Sequence, residues 1–266
     1  MYFYQEKSIL HEQGQYKLAV AKRTLRKQDA VMSQLIDLVG PTKVRSEREL
    51  SVYQSLVRAI AYQMISTKAA AAIHGRLLEQ CDDNIAPGKL LDLGAERLRE
   101  IGYSRAKVAS LLDLSEKCRS GEVPSDNILR SLPDTELIEC LTTVRGIGAW
   151  SVEMLMIFNM RRADVFPATD LGVRRGHMLA YNLDDMLSAG ELRKQAAAWQ
   201  PYRSVAAWYL WRANDCVDWA IVRPTKKKPS VTQAKKKPPA KRAKKKSKKK
   251  STGRKSISNK IAGRGI

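Results

Sequence analysis

Apolar residues recur along most of this chain at the three- and four-residue spacing of one helix face, and strong strand-like alternation appears nowhere. The first clear case is ELSVYQSLVRAIAYQMI, preceded by Ser46-Glu47-Arg48-Glu49, which reads as a capping box. Ser66 fits the N-cap of TKAAAAIHGRLLEQC, whose alanines favour helix. Pro87-Gly88 interrupts the pattern. KLLDLGAERLREIG follows, with Gly102 as a C-terminal stop. Ser104 caps RAKVASLLDLSEKCRSG, and Pro133 suits the first turn of PDTELIECLTT. Further helices are predicted through SVEMLMIFNM, through LGVRRGHMLAYN and from Glu191 to Trp199, with a last one after Ser204 as VAAWYLWRAND. The pattern predicts an all-α body without a tandem repeat.

Charge divides the chain. Of the net charge of +21 over 266 residues, 19 Lys/Arg and no Asp/Glu lie from Arg223 onward, which leaves +2 for residues 1–222. That Lys-, Pro-, Ala- and Ser-rich tail has almost nothing to bury and is expected to be disordered. Like charge of this density suits polyanions, so nonspecific, salt-dependent nucleic-acid binding is the expected role, ahead of a solubilising tail. No apolar run reaches a membrane span and no lipidation signal accompanies the tail, so no membrane partner is expected. The start reads as neither a secretory signal nor an assignable motif. Cys81, Cys118, Cys140 and Cys216 are far apart, which fits buried thiols in a reducing compartment and neither a disulfide framework nor a zinc site. The expected organisation is an N-terminal helical segment (1–30), a helical domain (31–222) and the basic tail (223–266).

One stretch invites chemistry. VRGIGAW (144–150) places Gly146 and Gly148 between the helices LIECLTT and AWSVEMLMIF, a helix–hairpin–helix. Glycines can adopt backbone angles closed to other residues and permit close approach. Such a turn directs N–H groups outward with a helix dipole behind them, an anion site. A dinucleotide loop needs a preceding strand and a third glycine, and a phosphate-binding P-loop needs Lys-Ser/Thr after the last glycine; neither is present. A plain interhelical turn remains equally open on these residues alone. Further on, Asp170 in PATD precedes a helical pattern and fits an N-cap.

The longer stretch VRGIGAWSVEMLMIFNMRRADVFPATDLGVRRG resembles the helix–hairpin–helix DNA glycosylase superfamily, most closely its alkylpurine (3-methyladenine) branch. LVRAIAYQMISTKAAAAIHGRL resembles that branch's early helix pair and PYRSVAAWYLW its final helix, so the likeness runs from about Val31 to Val222. The resemblance implies a two-lobed helical fold in compact form, without the extra N-terminal β domain of larger bacterial members.

It also implies roles. Asp170 becomes the catalytic carboxylate, compatible with its capping role, stabilising positive charge on the sugar and helping to orient or deprotonate water. Trp150 stands where lyase members carry a Schiff-base lysine, which implies a monofunctional enzyme. The four closely spaced cysteines of cluster-bearing relatives are missing. Trp150 and Trp211 are implied to wall the base pocket, Trp211 by cation–π stacking on a cationic base, with Met154 where some relatives have tyrosine. Gln63, Met64 and Ser66 lie at the turn the family uses as a minor-groove wedge. Arg145, Gly146, Ile147 and Gly148 are implied phosphate contacts. The backbone carbonyls of Thr142, Val144 and Ile147 match a monovalent-cation site, and no other cofactor is expected. The expected partner is double-stranded DNA with alkylated bases, bound by a monomer in a bacterial nucleoid or a nucleus. A DNA-compacting protein with a decayed glycosylase body is the alternative.

Overall fold

The structure is a computed structural model that describes residues 17–40 and 50–216. These lie in the first of two compact units, Met1–Pro224; the second, Thr225–Ile266, lies outside the described residues, as do Ser46–Glu49, Trp219 and the basic tail. The described residues form twelve α-helices and one 3-10 turn and no strand: α1 (Leu18–Gln28), α2 (Ala30–Val39), α3 (Val52–Tyr62), α4 (Thr67–Gln80), α5 (Pro87–Ile101), α6 (Arg105–Ser120), α7 (Asp126–Ser131), α8 (Asp134–Thr142), α9 (Ala149–Phe158), α10 (Leu171–Tyr181), α11 (Ala189–Ala196), the turn Ala197–Trp199, and α12 (Arg203–Ala213). The all-α expectation is met. No helix among the described residues is long and apolar enough to cross a membrane.

Packing groups the helices into two lobes around one continuous core. α3 to α9 pack among themselves, while α1, α2, α10 and the 3-10 turn gather on α12. α12 is buried from Ser204 through Trp211, and a helix apolar on every side belongs in the middle of a lobe. α1 belongs to this core: Leu18, Ala21 and Leu25 are buried. Asp29 caps α2 and also takes hydrogen bonds from the Tyr181 hydroxyl and Trp199 Nε1, tying the first helices to the last.

Several ends follow the sequence reading. Ser66 accepts from the Ala69 N–H and Ser104 from the Lys107 N–H, and Gly102 ends α5 at φ 117°. Three expectations are revised. α3 starts at Val52, where Ser51 and Gln54 form the capping box; the expected Ser46–Glu49 box lies outside the described residues. Pro87 begins α5 instead of only interrupting it, because a first-turn residue needs no N–H. Ser204 does not precede the last helix. It lies inside α12, fully buried, donating to the Arg162 carbonyl at 2.6 Å and accepting from the Val165 N–H at 2.9 Å.

Those Ser204 contacts fix the loop between α9 and α10. Arg203 grips Asp164 through two nitrogens at 2.8 and 2.9 Å. Arg162, itself buried, pairs with Asp134 and donates to the Leu132 carbonyl at 2.7 Å. Val165, Phe166 and Ala168 are buried behind it. The segment leading to Asp170 is therefore held at both ends before the aspartate is reached.

Candidate active site

Asp170 is the N-cap of α10. Its own N–H closes a turn onto the Pro167 carbonyl at 2.9 Å, and its Oδ1 accepts from the Val173 N–H at 2.9 Å. The side chain is 5% exposed, so what surrounds the carboxylate decides its chemistry. Trp211 Nε1 donates to Oδ1 at 2.8 Å and Trp150 Nε1 donates to Oδ2 at 2.8 Å. Two indoles from different helices, α12 and α9, thus converge on one carboxylate. Hydrogen bonds to a charged acceptor are stronger than neutral ones, and here they fix the carboxyl plane as well as its position.

The α10–α12 contact underlies this geometry. A Cβ on Gly176 would stand 1.8 Å from the Leu210 carbonyl oxygen, so only glycine lets the helices approach this closely. Asn214 adds a bond from Nδ2 to the Gly172 carbonyl at 2.9 Å. Residues before and after Trp211 therefore lock α12 to the first turns of α10.

Of the expected base-pocket residues, Trp150 and Trp211 meet at Asp170, with different exposures. Trp150 is half-buried. Trp211 is fully buried, with Phe158 stacked on it at 5.6 Å between ring centroids, and Met154 is 1% exposed. What Trp211 offers in this structure is its N–H edge to Asp170. Trp208 is a core residue. Glu153, one turn beyond Trp150, was not singled out from the sequence. Its carboxyl is pushed up to about 7, chiefly by burial, with Arg193 pulling it down and Asp170 pushing it up.

The hairpin joins α8 to α9 over residues 143–148. Gly146 has φ 76°, and a Cβ there would lie 2.6 Å from Ser110 Oγ of α6, so both angle and space require glycine. Gly148 corrects the expectation of two unusual glycines. It is extended at φ −105°, ψ 169°, and a Cβ would meet nothing within 4 Å. Its absent side chain leaves the start of α9 uncapped and approachable. The Arg145 N–H donates to Asp113 Oδ2 at 2.7 Å, while its side chain is exposed. The side chains of Val144 and Ile147 are buried, so these residues can offer a ligand only backbone; the Val144 carbonyl already accepts from the Ile147 N–H at 3.1 Å and keeps its second lone pair.

The α3–α4 turn meets the hairpin. Gln63 Nε2 donates to the Gly146 carbonyl at 3.0 Å. Next to it Met64 is 95% exposed and has φ 56°, a left-handed conformation that costs a non-glycine residue. Ser66 acts as the cap of α4. A separate cavity of about 270 Å³ lined by residues including Tyr53, Cys118, Val123 and Leu129 shares no residue with this site.

Helix, glycine hairpin, helix, then a loop ending in a clamped aspartate is a specific arrangement, and comparison with known proteins finds it again. The model of the HhH-GPD superfamily of base excision DNA repair proteins matches residues 57–201, which span the α3–α4 turn, the hairpin and Asp170. The chain belongs to that superfamily. It is 36% identical to DNA-3-methyladenine glycosylase 1 of Schizosaccharomyces pombe over 202 residues, 74% of this chain and 89% of the relative. It is 30% identical to an alkylbase DNA glycosidase-like protein of the same yeast over 195 residues, 72% and 92% respectively. Among solved structures it resembles the S. pombe 3-methyladenine DNA glycosylase in complex with abasic DNA, with a TM-score of 0.67, 35% identity, and coverage of 74% of this chain and 98% of that one.

Proposed function

We propose that this superfamily member is a monofunctional DNA glycosylase that hydrolyses the bond between an alkylated purine and its deoxyribose. The clamp of Trp150 and Trp211 on Asp170 carries the reading. The C1′–N bond breaks with its electron pair leaving on the base, and positive charge grows on the sugar. A fixed, already oriented carboxylate stabilises that charge without reorganising. Water then adds to C1′, and its proton passes to Asp170 or to solvent. A 3-methyladenine- or 7-methylguanine-type base leaves neutral from a cationic nucleotide and needs no general acid.

The other parts support DNA as the substrate. Met64, exposed and held in a costly conformation beside the hairpin, suits insertion into the gap left by a flipped nucleotide. The Gly148–Ala149 start of α9 suits a phosphate. A monovalent cation on the Thr142, Val144 and Ile147 carbonyls would add positive charge beside that phosphate. Extrusion would bring the base against Trp150, the half-buried member of the pair, while Trp211 stays behind Asp170. The basic tail would add nonspecific affinity, from outside the described residues. A decayed, DNA-compacting body is not favoured, because it would have no use for a buried carboxylate with three N–H donors.

The absence of an amine at Trp150 predicts hydrolysis without strand cleavage. On methylated duplex DNA, free methylpurine should appear with breaks only after alkali. Strand breaks without alkali, or a covalent adduct trapped by borohydride, would contradict the monofunctional reading.

A further inference from the structure

We propose that Glu153 is a positioning residue for Asp170: its carboxyl, one helical turn beyond Trp150 and with one oxygen shut away from solvent, supplies a second negative charge that tunes the field at the sugar. The inference rests on the glycosylase reading above.

Glu153 and Trp150 are neighbours on α9 by the three-residue spacing of a helix face, and Trp150 is the residue that touches Asp170 Oδ2. Glu153 Oε2 has no access to water and no hydrogen-bond partner. A buried acceptor left unsatisfied costs stability and is rarely retained without a reason. Two charged groups face this carboxyl: Arg193 on α11, which favours its ionised form, and Asp170, which disfavours it. With burial, they leave it titrating at about 7. Glu153 therefore changes charge near neutral pH, and the phosphates of bound DNA would move that midpoint further up.

The direction of the effect follows. Ionised Glu153 adds its field to that of Asp170 as the sugar becomes positive, and neutral Glu153 does not. Excision by wild type should rise with pH along a one-proton curve between about pH 6 and 9, by roughly tenfold for one added charge near the reacting centre. Glu153→Gln should match wild type at the acid end and stay flat above it. Arg193 is exposed, so Arg193→Gln should fold normally. It should shift the wild-type curve to higher pH, because a positive neighbour of Glu153 is lost.

The test is single-turnover release of methylpurine from alkylated duplex DNA across that pH range for the three proteins. A flat Glu153→Gln profile meeting wild type at low pH, with an upward-shifted Arg193→Gln curve, supports the proposal. A Glu153→Gln profile that keeps the wild-type shape, or is lowered equally at every pH, overturns it. Release by wild type with no pH dependence overturns this inference alone, whereas no release by wild type at any pH overturns the glycosylase reading beneath it.

Discussion

Trp150 Nε1 and Asp170 Oδ2 are 2.8 Å apart, although twenty residues and a turn of chain separate them. With Trp211 on Oδ1 at 2.8 Å, this gives the carboxylate one orientation. Trp150→Phe and Trp211→Phe keep a ring and remove the donor. A hydrogen bond to a charged group is worth about 1.5–3 kcal/mol. Each variant should slow base release by roughly tenfold to hundredfold, with the double variant losing less than the product because both donors orient one group. Single-turnover rates at saturating enzyme, beside circular dichroism to confirm folding, measure this. Unchanged rates for both variants would remove the clamp from the mechanism.

Gly176 bears on stability and activity together. Its Cβ position lies 1.8 Å from a backbone oxygen, which cannot swing aside as a flexible side chain could. Gly176→Ala should destabilise the fold by about 3 kcal/mol or more, at the upper end of overpacking costs, despite alanine's better helix propensity. Thermal unfolding of both proteins tests it, and a melting temperature equal to or above wild type would show that α10 and α12 are not in this close contact.

Met64 makes the opposite prediction for folding. Glycine at φ 56° relieves a left-handed residue by about 1–2 kcal/mol, and a side chain 95% exposed has little packing to lose. Met64→Gly should therefore melt no lower than wild type while binding abasic or alkylated duplex more weakly. Titration with labelled duplex measures the second part. Unchanged affinity would leave the exposed methionine without a role in DNA binding.

Removing residues 223–266 takes away 19 basic residues and no acidic ones. Each phosphate contact contributes close to one unit of slope when log K is plotted against log salt. The truncated protein should bind undamaged duplex more weakly at low salt and with a shallower slope. Identical slopes would show that the tail does not neutralise phosphates.

Much of this fold could be read from the sequence because helices announce themselves locally. Ser66, Ser104 and Gly102 mark their ends by side-chain chemistry that depends on a few neighbouring residues. The hairpin and Asp170 were legible through their order in the chain. Other features depend on partners distant in sequence. Ser204 was expected just ahead of the last helix, but it lies within it and its hydroxyl serves a loop some forty residues earlier. Gly148 looked as constrained as Gly146, and only the backbone shows that one of the two needs a positive φ. Gly176 did leave a local sign, a glycine inside a helix where propensity opposes it. Glu153 left none, since a single glutamate on a helix is ordinary until its surroundings are known. The roles of Trp150 and Trp211 as donors to Asp170 required the folded geometry, because periodicity does not say which edge of an indole meets which atom.

The most direct test of the account is the rate of methylpurine release from alkylated duplex DNA by wild type and by Asp170→Asn, with affinity for the same duplex measured in parallel. Asparagine keeps the size of the side chain and an oxygen able to accept from Val173 N–H, so α10 should remain capped. The account predicts release by wild type, a loss of at least roughly hundredfold in Asp170→Asn, and similar DNA affinity for both. Release by Asp170→Asn at the wild-type rate would contradict it and leave Asp170 as a helix cap.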